Sequence, residues 1–370
     1  MLYLGLLLPI SYLAGFTGTA ILTQWVVLSV ILPWALFRKG PFTFYHGLGL
    51  VFLVYSCASL LWVPNVNDSV LGVWHLLICA LAFWLGTTAP SLTQLWRGLA
   101  LGLSISSLIA VAQYFGFESV YRNIGPVPGY SGLLFNSTVS GAATALVILA
   151  LFCERLWLYI PLLLPGLYLS HSRGAYLILA VGLLAKYIHW TTALLIIAVC
   201  GLLAIYFVDS SNALRLQIWS VAYAKLTPWG WGVGSFYDIW YQSKDAVLIH
   251  PEFVHNDYLQ LAFEFGWGAI PSYIILAAGL TRTQSVAWPI AIGFATSMAF
   301  YFPLHCPLIA FIGCLTTGHL LREPNEFWAS RPSGGSWFVH LNSLWASGYG
   351  PYPIQPIPLS SRTQNAEQHP

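Results

Sequence analysis

Apolar segments long enough to cross a bilayer recur almost from one end of this sequence to the other, and no other feature constrains the fold as strongly. A spanning helix needs about 20 mostly apolar residues. Between Leu2 and Leu321 twelve such segments can be placed, at 2–17, 20–37, 43–63, 69–88, 95–116, 136–152, 156–170, 174–189, 191–208, 256–280, 286–302 and 305–321. Hydrophobic residues make up 58% of the chain and charged residues 7%, against roughly 25% charged in an ordinary soluble domain. A single aqueous core cannot bury that much apolar surface, so lipid is the expected solvent. The expected fold is all-α: a polytopic transmembrane helix bundle of about 12 spans over residues 1–321, followed by a disordered cytoplasmic tail at 322–370.

Orientation follows from the basic residues, because cytoplasmic loops retain Lys and Arg while translocated loops shed them. Arg38, Lys39, Arg97, Arg155, Lys186, Arg282 and Arg322 all fall at alternate loops, which predicts that both termini are cytoplasmic. Gly18-Thr19-Ala20 resembles a cleavage site, but the first segment lacks a basic n-region and reads as a retained span. The net charge is +2 with no dense basic run, so neither nucleic-acid binding nor a polybasic lipid anchor is indicated. Cys57, Cys79, Cys153, Cys200, Cys306 and Cys314 lie in or beside apolar segments without C-x-x-C spacing. They read as small apolar filler, neither a disulfide framework nor a metal site.

Two long stretches, about 117–135 and 209–255, separate spans on the outer side, and function is expected there. The larger opens with Ser210-Ser211-Asn212, a helix N-cap signal, followed by Ala213–Leu226, where Leu214, Ile218 and Val221 recur at helical spacing. A helix lying along the membrane surface is expected. On it Arg215, Trp219 and Tyr223 repeat every four residues, a stripe that either lines a site or anchors at the interface. Gly230-Trp231-Gly232-Val233-Gly234-Ser235 offers either a plain turn or exposed N–H groups for an anion. It lacks the Gly-Lys-Ser ending of a P-loop, which disfavours nucleotide binding. The tail, punctuated by Pro351, Pro353, Pro356 and Pro358, is too polar to span. No internal repeat with a period of 20–50 residues is visible.

Five cations break the positive-inside pattern: Arg122, Arg173, Arg215, Lys225 and Lys244 face outward in this topology. Arg173 lies in Ser170-His171-Ser172-Arg173-Gly174-Ala175-Tyr176 at a membrane boundary, where a guanidinium must snorkel or meet an anion. A second constellation is Val254-His255-Asn256-Asp257-Tyr258-Leu259, running on to Gln260, Glu264, Gly266 and Gly268. His255, Leu259 and Ala262 would share a face of a helix that started there, and Glu264 would be an ionisable group within the span. A third element, Phe302-Pro303-Leu304-His305-Cys306-Pro307, forms the outer turn between the last two spans, and His305 is either a turn residue or part of the site.

Ser172-Arg173-Gly174, Arg215 with Trp219, Gly230 to Phe236, and His255-Asn256 with Leu259, Glu264 and Gly266 together resemble the O-antigen ligase/polymerase superfamily. The resemblance covers roughly residues 130–320, with Gly132 and Phe135-Asn136 at its start. It implies a GT-C-like fold and a membrane glycosyltransferase of O-antigen ligase or polysaccharide polymerase type. Such an enzyme moves a glycan from a polyprenyl diphosphate carrier to an acceptor hydroxyl on the periplasmic side of the bacterial inner membrane, without metal, nucleotide sugar or other cofactor. By that resemblance Arg173 and Arg215 hold the diphosphate, for which the guanidinium fork is suited. His255 is the catalytic base or orients the acceptor, and Asn256, Glu264 and His305 contribute to substrate binding. The reaction inverts the anomeric centre, and Trp219, Tyr223, Trp231 and Tyr258 either stack on sugars or anchor at the interface. The implied partners are the lipid-linked donor, a glycan, lipid or protein acceptor, and membrane lipids.

The competing reading is a membrane transporter, for example one linked to inorganic carbon uptake. Transporters place their sites near the midplane on broken helices with inverted repeats, whereas here the polar residues gather at one face.

Overall fold

The computed structural model describes residues 1–10, 20–37, 40–117, 129–134, 136–187, 192, 195, 210–242, 251–283 and 285–322. Most of the expected ninth span with Cys200, most of the 117–135 loop with Phe135 and Arg122, and Gly18-Thr19, Arg38, Lys39, Lys244 and the tail beyond Arg322 lie outside the described residues.

Among the described residues every regular element is a helix. In chain order these are α1 (Leu2–Ile10), α2 (Ala20–Ile31), α3 (Phe44–Ser59), α4 (Val66–Thr88), α5 (Thr93–Tyr114), α6 (Ser137–Cys153), α7 (Ile160–Leu169), α8 (Arg173–Ala185), α9 (Ser210–Ala224), α10 (Phe236–Tyr241), α11 (Asp257–Phe265), α12 (Ile270–Leu280), α13 (Trp288–Phe300) and α14 (Pro307–Leu321). Three continuous helical stretches are long and apolar enough to cross a membrane: α4, α5, and Asp257–Leu280, of 23, 22 and 24 residues. The third comprises α11 and α12 joined by a 3-10 turn at Gly266–Ala269. The remaining apolar helices are shorter, 9–17 residues.

The boundaries have local causes. Asn65, Asn136, Ser172 and Asn256 each accept a backbone N–H from the first turn of α4, α6, α8 and α11, which satisfies one of the donors a helix start leaves open. Proline stands in the first turn of α7, α12, α13 and α14, where its missing N–H costs nothing. From Ser137 to Leu151, α6 is buried on nearly every side, and α13 and α14 are almost as enclosed. These helices form the centre of the bundle. Large side chains such as Leu50, Val54 and Leu108 remain more than half exposed, as expected of helices whose outer face meets lipid.

Two helix pairs approach to backbone contact. A Cβ added to Gly98 would lie 2.1 Å from the Leu2 carbonyl oxygen on α1, and one at Gly86 would lie 2.1 Å from that of Leu315 on α14. Small residues that let backbones touch are the usual packing device where the surroundings are as apolar as the side chains.

A second, smaller core lies outside this bundle core. Ile218 and Ala222 of α9, Phe236, Ile239 and Trp240 of α10, and Phe263 of α11 pack together. The helix expected at Ala213–Leu226 is therefore present, beginning slightly earlier, and it docks on α11.

Candidate functional site

One cavity, of about 190 Å³, brings together residues far apart in sequence. Arg215 and Leu214 from α9, His255, Asn136 and Val139 at the start of α6, and Tyr301 with Phe302 and Pro303 between α13 and α14 all line it. His255 does not lie on a helix face as the spacing with Leu259 and Ala262 suggested. It precedes the N-cap Asn256, with φ of 57°, a left-handed conformation rare for a residue with a side chain. The imidazole nevertheless faces the cavity, with its ring edge-on to Phe302 at 4.9 Å.

Burial and the positive charge of Arg215 together hold the His255 imidazole down, to about 4, so at neutral pH it is uncharged and able to accept a proton. The stripe expected to keep Arg215, Trp219 and Tyr223 on one surface is divided among three environments. Arg215 enters the cavity, and the Trp219 indole packs on the small core and donates to the Val254 carbonyl at 3.0 Å. Tyr223 is 72% exposed.

Arg173 is the first residue of α8 and is exposed. It is not among the residues lining the cavity, but its neighbours reach the wall. The Ser172 hydroxyl is 3.1 Å from the Tyr301 hydroxyl, and a Cβ on Gly174 would fall 1.9 Å from that oxygen. In the Ser172-Arg173-Gly174 motif, serine thus caps the helix and touches the wall, while glycine leaves room for the phenol.

Other expected site residues have protein partners. Asn256 uses its side-chain oxygen to cap α11, accepting from Leu259 N at 3.0 Å. Glu264 is 2% exposed and accepts from Gln260 Nε2 at 2.5 Å, while Gln260 Oε1 accepts from Val254 N at 2.7 Å. Through Gln260, Glu264 therefore fixes the path of the segment entering α11. His305 ends the 3-10 turn Pro303–His305, with its Nδ1 3.4 Å from the Asp257 carboxylate.

The glycine run turns its N–H groups to partners within the protein, the Gly234 N–H among them bonding the Glu264 carboxylate. Trp231 N donates to the Phe263 carbonyl, Gly232 N to that of Glu264, Val233 N to the Ser59 hydroxyl, and Gly230 N to the Thr227 carbonyl. Its glycines serve close approach: Gly230, with φ of 68°, would place a Cβ 2.2 Å from the Glu264 carbonyl oxygen. The loop is a fixed strap between α3 and α11.

Two residues were not singled out from the sequence: Tyr301, which lines the cavity as does Asn136 from the start of the resemblance, and Asp257, which is fully buried and holds the turn bearing His305. Asp257 was visible beside His255, but its partner lies 47 residues further on, and no local pattern connects them. Among the described residues, no three His, Cys, Asp or Glu side chains are grouped to hold a metal ion. No protein-family model and no curated protein matches the chain.

Proposed function

We propose that the chain is a polytopic membrane glycosyltransferase that moves a glycan from a polyprenyl diphosphate to an acceptor hydroxyl at the outer, periplasmic face of a bacterial inner membrane. The carrying observation is that Arg215 and His255, on separate elements, line one cavity, the first suited to phosphate oxygens and the second to a hydroxyl proton. The Ser172–Tyr301 contact, which links the Arg173 turn to the same wall, adds support. In this reading the α9 helix lies at the membrane surface, about twelve spans cross the bilayer, and the two termini are cytoplasmic.

The acceptor oxygen attacks the anomeric carbon as its proton passes to the His255 imidazole. The bond from the anomeric carbon to the diphosphate oxygen breaks, and the leaving diphosphate keeps the electron pair. Arg215, with Arg173 from the turn beside Ser172, binds that charge. Arg215 also lowers the basicity of His255. An anion on the guanidinium cancels that effect, so donor binding makes the imidazole a better base. Ligase and polymerase differ only in the acceptor.

The experiment is transfer by the detergent-purified chain from a polyprenyl-diphosphate oligosaccharide with EDTA present. His255→Ala and Arg215→Ala should each lower transfer by about 10²–10⁴ while the protein stays folded. Longer lipid-linked chains identify a polymerase and a modified second acceptor a ligase. Undiminished transfer by both variants, or none by the wild type with any acceptor, would sink the reading and favour a transporter.

A further inference from the structure

We propose that Asp257 and His305 form a positioning pair that fixes the Phe302 wall of the cavity against His255. Asp257 opens α11 with its side chain fully buried. One carboxylate oxygen accepts the Leu304 N–H at 2.7 Å, and the other lies 3.4 Å from His305 Nδ1. Both contacts are to the turn between α13 and α14, so one buried carboxylate ties that turn to the segment bearing His255.

What the turn carries gives the tie its consequence. Phe302 and Pro303 line the cavity, and the Phe302 ring meets His255 edge-on. Phe253 closes the assembly, stacked on Phe302 at 4.9 Å and against His305 at 4.2 Å. The order is His305, Phe253, Phe302, His255: aromatic rings run from the pair to the cavity. His255 lies outside α11 in left-handed backbone, so the helix does not set its direction. The wall does.

The charges around the pair reinforce it. Burial disfavours the charged imidazole of His305, but the Asp257 carboxylate, with Glu264 beyond it, prevails and raises the His305 pKa above the ordinary range. His75 on α4 also faces His305, and Arg215 is the charge facing His255. The pair acts on His255 whatever the cavity binds. Only a transfer assay of it rests on the glycan-transfer reading.

The test follows the titration of His255 by NMR of the full chain, carbon-labelled at histidine, in lipid nanodiscs. In Asp257→Asn and in His305→Gln, the His255 midpoint should rise by about one unit from its low value as water reaches the loosened wall. Direct electrostatics predict the opposite sign for Asp257→Asn, because removing a nearby carboxylate disfavours the imidazolium. Tyr258→Phe, which removes a bond to the Ala295 carbonyl from the same helix, should leave the midpoint in place. That variant separates positioning from general loosening of α11.

An unchanged or lowered His255 midpoint in the pair variants, or an equal rise in Tyr258→Phe, overturns the proposal. Should Asp257→Asn fail to fold, His305→Gln decides alone. In the transfer assay, the pair variants should lose kcat while KM for the donor holds. A wild type without transfer removes the glycan reading and leaves the titration to judge the pair.

Discussion

The pKa values of His255 and His305 are pushed in opposite directions by neighbours that the structure names, and the consequence is a stability profile with two slopes. The folded chain lowers the His255 pKa to about 4 through burial and Arg215, whereas the unfolded value is near 6.5. Its contribution is therefore present above about pH 6.5 and lost as pH falls toward 4. His305 is raised by Asp257 despite burial, so its contribution is full below about pH 6.5 and lost as pH rises through its elevated folded value. Thermal unfolding in detergent should give a maximum between these limbs, and His305→Gln should flatten the alkaline limb and, by raising the His255 midpoint, make the acid one shallower. Retention of the alkaline limb in the variant would assign it to another group. At this scale the sequence was partly legible. Arg215 and His255 drew notice because each is a chemically unusual residue for its place, a cation on the side expected to be translocated and a histidine near a glutamate in an expected span. Asp257–His305 did not, since a pair formed across two distant segments has no period or spacing to betray it.

The helices α4 and α5 were readable as elements because their apolar runs are long and end at polar or proline residues. The break between α11 and α12 was not, although Gly266 and Gly268 stood in view. A glycine in an apolar run signals that the backbone is free to turn, but Gly266 turns because the loop arrives there: Trp267 N donates to the Pro228 carbonyl at 2.8 Å. The glycine run has the same lesson. Its composition announced an unusual backbone, and the destination of its N–H groups depended on α3 and α11. Close helix contact was readable in principle, since Gly98 and Gly102 on α5 have the four-residue spacing that lets helices touch. Gly98→Val should separate α1 from α5, at a cost of about 1–3 kcal/mol as overpacking. The unfolding midpoint of the detergent-solubilised protein would report it, and an unchanged midpoint would mean that α1 shifts freely.

Among the described residues, two groups of polar contacts lie at opposite ends of the helices. Ser172–Tyr301, Asp257–His305 and Ser59–Val233 gather at one. At the other, Thr93 donates to Glu154 at 2.9 Å, Lys186 lies over the Phe152 ring, and Arg322 donates to the Ala89 carbonyl. The charge bias of the sequence anticipated this division, because Arg155, Lys186 and Arg322 belong to the second end. With Cys57 replaced, a cysteine at His171 should react with an impermeant thiol reagent in intact spheroplasts, and one at Arg155 only after permeabilisation. The reverse pattern would invert the topology. The close contact between Gly86 of α4 and Leu315 of α14 also sets an order of events during synthesis. That face of α4 leaves the ribosome long before α14 exists and must wait in the bilayer, or beside an insertion factor, for its neighbour. A nascent chain stopped short of α14 therefore displays an incomplete helix face, a mark by which membrane quality control can recognise it.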